Sequence, residues 1–152
     1  MLPGSRSRRD FLRTTGVLAV GGGMALSLTG CREAADSASE AVRAGEGSRV
    51  LTDAERRTLE AFSDRILPPD GDAPGAAALG AVVFMDHYAA QRPDILEAIR
   101  HALEVIDTRV REAHPDAGGF ADLDGEAMDA LVGGLEKDAP DAFWPLQTFT
   151  LF

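Results

Sequence analysis

The chain has 152 residues and a formal charge of −10 at neutral pH; its first 30 residues hold four arginines against Asp10, a net +3, which leaves the remainder at −13. With no Lys/Arg stripe outside that stretch, the body repels phosphate backbones, so nucleic acid is excluded as a partner. A lone cysteine, Cys31, excludes an internal disulfide and a Cys-based zinc site, and packing alone must hold the domain.

Residues 1–30 read as a leader. Arg6, Arg8, Arg9 and Arg13 surround or precede an uncharged run of 15 residues, Thr14 to Leu28. A spanning helix needs about 20 apolar residues, and Gly21, Gly22 and Gly23 weaken helix formation in this one. The run is therefore a signal segment, and Arg8-Arg9 followed by Phe11 and Leu12 fits the twin-arginine export pattern. "LTGC", Leu28 to Cys31, resembles a bacterial lipobox, in which small Thr29 and Gly30 admit a peptidase and the Cys31 thiolate takes up a diacylglyceryl group. Acyl chains contribute about 0.8 kcal/mol per buried CH₂, so two or more hold a protein on a membrane without a spanning helix. The expected location is the periplasmic side of a bacterial envelope. The rival readings are a basic arm before a buried helix, and ordinary cleavage near Ala25 to Gly30 with Cys31 incidental.

Residues 31–49 are expected to be a flexible tether from the lipidated Cys31. Arg32 to Gly47 is rich in Ala, Ser, Glu and Gly and has no large aliphatic beyond Val42, too little to bury, although its alanines permit transient helix.

The folded domain is assigned to residues 50–152. Thr52 and Glu55 form a capping box for a first helix with Leu59, Phe62 and Ile66 on one face, ended by Pro68-Pro69. After the loop from Pro68 to Gly75, a second helix is expected from about Ala76 to Ala90, apolar over much of its circumference and the most buried of the set. Asp94 is expected to cap a third, with Leu96, Ile99, Leu103, Ile106 and Val110 inward and Glu97, Arg100, Glu104, Asp107 and Arg111 wet. A fourth, about Asp124 to Lys137, offers Met128, Leu131, Val132 and Leu135, with Gly133-Gly134 as a close contact or a weak spot. A fifth begins near Asp141. No alternating pattern persists, so the fold class is all-α, a small antiparallel bundle of about five helices.

Chemistry is sparse along this chain. There is no Gly-rich phosphate loop and no dinucleotide fingerprint. Asp86-His87 is conceivable as an acid/base or metal couple, yet neighbours on a helix point about 100° apart and do not converge. His101 is expected to make an i,i+4 contact with Glu97, and His114 to sit at a helix C-terminus that favours a cation. Asp64, Asp70 and Asp72, like Asp122, Asp124 and Glu126, lack the later bidentate Glu of a calcium loop. No catalytic, cofactor or metal residue is assigned to this chain. The tail "DAFWPLQTFTLF" is the more telling stretch: Phe143, Trp144, Phe149 and Phe152 either close the core, face another subunit as aromatic anchors, or mark a chain that naturally runs on.

Together the leader, "LTDAERRTLEAFSDRILPPD" and "APGAAALGAVVFMDHYA" resemble the gluconate 2-dehydrogenase subunit 3 family over about Leu51 to Phe152. The most specific parts are the "LT-x-x-E" helix start, "DRILP" from Asp64 to Pro68, and "PGA" opening an apolar helix that reaches Asp86. The resemblance implies a small helical subunit of a membrane-associated flavin dehydrogenase acting on sugars, sugar acids or related alcohols. The large partner, of the GMC type, would hold FAD, and a cytochrome c subunit with haem c is a further partner it implies. The small subunit would escort the flavoprotein through export, stabilise it and tether it. Family members commonly continue past the equivalent of Phe152, and an acylated cysteine is not universal among them. The rival classes are a self-sufficient periplasmic lipoprotein that binds a ligand or protein and, ranked last, a metal enzyme built on Asp86 and His87.

Overall fold

The computed structural model describes residues 49–151 together with Asp36, Glu40 and Ala44, three exposed positions with helical backbone. The described residues hold five α-helices and one 3₁₀ turn, Phe120–Asp122, and no strand. The chain is all-α, as its hydrophobic periodicity requires.

Helix α1, Asp53–Ile66, begins with the anticipated box: Thr52 Oγ1 accepts from the Glu55 N–H at 3.2 Å and Glu55 Oε2 accepts from the Thr52 N–H at 2.7 Å. It ends because Leu67, at φ −129° and ψ 84°, has left helical geometry, as the residue before a proline must. The loop then folds back on itself. Asp70 and Ala73 exchange two backbone hydrogen bonds of 3.0 Å around Gly71, which takes φ +59°.

Helix α2 is Ala81–Gln91, a shorter element than the expected 76–90. Gly80 lies at φ +89°, a left-handed conformation that cannot sit inside a right-handed helix, so residues 76–80 form turns instead. Those turns are fastened to the end of α1: Ala76 N–H donates to the Leu67 carbonyl and Ala77 N–H to Asp64 Oδ1, each at 3.0 Å. Seven of the eleven residues of α2 are buried, so it lines the core as anticipated.

Helix α3, Pro93–Ala113, buries Ile95, Ile99, Ala102, Leu103, Ile106 and Val110, while its five anticipated wet positions are exposed. Its start departs from expectation. Pro93 takes the first turn, where its missing N–H costs nothing, and Asp94 does not cap; instead Arg92 grips Asp94 through Nε at 2.9 Å and Nη2 at 2.6 Å. Helix α4, Gly125–Asp138, is capped by Asp124, whose Oδ1 accepts from the Ala127 N–H at 2.8 Å. A Cβ on Gly134 would stand 3.4 Å from Arg109 Nη1 of α3, an ordinary contact distance, and Gly133 faces open space, so neither glycine is required by a close helix approach. Helix α5, Pro140–Thr150, closes the domain against α3 and the other helices.

Aromatic rings join the elements. Phe62 of α1 lies 6.3 Å from Phe120 and 6.2 Å from Phe143 of α5, while Tyr88 of α2 lies 5.7 Å from both Phe84 and Phe149. At the α1–α5 seam Thr150 Oγ1 donates to the Leu146 carbonyl at 2.8 Å and so accepts from Ser63 Oγ at 3.1 Å, satisfying two buried hydroxyls.

Candidate functional site

Two features stand apart from ordinary core packing: the junction where residues 49–51 meet the domain, and the outer face of α5. At the junction, Asp86 lies on α2 with 3% exposure. Its Oδ2 accepts from the Arg49 N–H, and its Oδ1 accepts from the N–H groups of Val50 and Leu51, both at 2.9 Å. Hydrogen bonds to a charged group contribute about 1.5–3 kcal/mol each. A carboxylate in so apolar a helix is sustained by these backbone dipoles. Arg100 of α3 reaches the same place, with Nη2 donating to the Val50 carbonyl at 3.2 Å and Nε to Glu55 Oε1 at 3.0 Å. The role of Asp86 was hidden in the sequence because its partners lie 35 to 37 residues away. The available signal was one acid, followed by one histidine, inside "VVFMDHYAA".

Charge pairs elsewhere knit the surface. Burial raises the pKa of Glu55, but the Thr52 N–H and the Arg100 guanidinium outweigh it and leave the carboxyl below its ordinary value. His101 does not pair with Glu97 on the preceding turn of α3: its Nε2 lies 3.2 Å from Asp141 Oδ2, 40 residues away, because packing brings the start of α5 within its reach. The His101 side chain holds the Asp141 carboxyl below its ordinary value, and Arg92 does the same for Asp94. Asp64 is engaged by Ala77, Asp122 by Arg57 at 3.2 Å, and Asp124 by its own helix. Among the described residues no group of three or more His, Cys, Asp or Glu is placed to hold a metal ion.

The aromatic tail is divided. Phe143 and Phe149 are buried at 3% and 7% exposure, whereas Trp144 is 53% exposed and rests edge-on against Phe143 at 5.6 Å. Pro140, Asp141, Trp144 and Leu151 are the exposed positions along this face. Phe152, Cys31, Arg8, Arg9, Phe11 and Leu12 lie outside the described residues. A shallow depression of about 460 Å³ along α3 is lined by Pro93, Leu96, Glu97, Arg100, His101 and Glu104, with mixed charge and open to solvent. No helix among the described residues is long and apolar enough to cross a membrane.

The described residues thus form a small all-helical bundle whose buried Asp86 carboxylate serves its own backbone and whose Trp144 stands exposed on α5. Residues 53–151 match gluconate 2-dehydrogenase subunit 3. The chain belongs to that family, as a subunit-3-type accessory subunit. No curated protein and no solved structure matched it.

Proposed function

We propose that this chain is the non-catalytic small subunit of an exported, FAD-dependent sugar or sugar-acid dehydrogenase complex of the gluconate type, and that it escorts, stabilises and tethers the flavoprotein. The family match carries this reading, since the family is that of a dehydrogenase subunit. The leader supports the export role: the twin-arginine route takes folded cargo, and Arg8 and Arg9 provide the address for a flavoprotein that folds around FAD before crossing. Cys31, lipidated, supplies the anchor on the periplasmic side. Among the described aromatics of the tail Trp144 is the exposed one, and it serves as the docking anchor; Trp is enriched at the centres of protein interfaces. FAD belongs to the large subunit, and haem c to a cytochrome subunit where one is present.

The test is co-expression with a large flavin oxidoreductase encoded beside this chain, gentle detergent extraction, and an absorbance spectrum of the material that co-purifies. Flavin absorbance retained with this chain is expected. Replacing Arg8 and Arg9 together by lysine should strand both chains in the cytoplasm; a partner that still reaches the periplasm ends the escort reading.

A further inference from the structure

Successive N–H groups of an extended chain point to opposite sides. Those of Arg49, Val50 and Leu51 instead converge on one carboxylate, which requires the bent backbone the structure shows there. The bend is held from three helices. Asp86 comes from α2, Arg100 from α3, and Glu55 of α1 receives the N–H of Thr52, the next residue along. Glu55 meets Thr52 within the first turn of α1, whereas Asp86 and Arg100 are in place only once α2 and α3 have packed beside it. Among the side chains at the root, Leu51 belongs to the core and Val50 is half-buried against it, while Arg49 is exposed, so the hold weakens outward along the segment.

We propose that Asp86 is a fold-gated clasp for the root of the N-terminal segment, fixing where that segment leaves the domain once the helices have packed and able to release residues 49–50 without unfolding them. Its use rests on the reading of residues 1–49 as leader and tether: a clasp here sets the direction in which an anchored domain is held, and leaves the root unfixed in a misfolded one.

Amide hydrogen exchange on the purified full chain tests the clasp directly. Asp86→Asn preserves shape but turns an acceptor toward Arg49 into a donor. Exchange at Arg49 should rise at least tenfold, with a lesser rise at Val50 and Leu51 as the clasp loosens, while Ile99 and Ile106 in α3 keep the wild-type rate. Arg100→Ala, on an exposed side chain that leaves α2 intact, should give a smaller rise at the same amides and serves if Asp86→Asn does not fold. Acceleration of all amides together in Arg100→Ala, or in a folded Asp86→Asn, makes these residues part of the general framework and overturns the proposal, as does no change at 49–51. The outcome is independent of the leader: export that persists when Arg8 and Arg9 become lysine removes the leader reading and leaves the exchange result standing.

Discussion

Glu55 uses both carboxylate oxygens, Oε2 for the Thr52 N–H and Oε1 for Arg100, and so ties a helix cap to a neighbouring helix. Because its pKa in the folded chain lies below the ordinary 4.5, the stabilisation is present above that value and is lost as pH falls through the folded value. Urea unfolding across an acid series should therefore show stability declining below about pH 4.5, with Glu55→Gln less stable than wild type near neutrality and flatter through the decline. Thr52→Ala removes the other half of the box and should cost about 1 kcal/mol, read as a lowered urea midpoint with an unchanged slope.

At the scale of elements, the connection from α1 to α2 turns on two glycines with different reasons to be there. A Cβ on Gly75 would stand 2.5 Å from Asp64 Oδ1 and 2.9 Å from Pro69 Cδ, displacing the carboxylate that receives the Ala77 N–H. Gly71 has open space around it and only its φ of +59° to protect. Gly75→Ala is thus expected to cost about 3 kcal/mol through crowding and a lost hydrogen bond, against about 1 kcal/mol for Gly71→Ala from backbone conformation alone. Equal midpoint shifts in urea would contradict this ordering.

The same loop shows what the sequence can carry. The capping box and the inward stripe of α3 were legible because the box lies within one turn and the stripe repeats every three or four residues. The start of α2 was not, since 76–80 is as apolar and alanine-rich as a helix and only the left-handed Gly80 separates them. Partners such as Asp86 with Leu51, or His101 with Asp141, depend on how helices pack and leave no local trace. In α5 the apolar residues surround the helix, so the pattern gave no phase by which to place Phe143 inside and Trp144 outside.

For the whole molecule that difference in placement separates stability from assembly. Phe62, fully buried, touches Phe120 and Phe143 and so joins α1, the 3₁₀ turn and α5. Its replacement by Ala should cost about 3–5 kcal/mol, a large share of the roughly 5–15 kcal/mol that holds a domain of this size. Trp144→Ala removes one edge contact with Phe143 and should cost about 1 kcal/mol. If the outer face of α5 docks the flavoprotein, the two variants diverge under co-purification. Phe62→Ala loses flavin absorbance in proportion to its unfolded fraction and recovers it on cooling toward its stability maximum, whereas Trp144→Ala stays folded by circular dichroism and loses the partner at every temperature. A Trp144→Ala chain that captures the flavoprotein as well as wild type does would move the docking surface off α5 while leaving the fold argument intact.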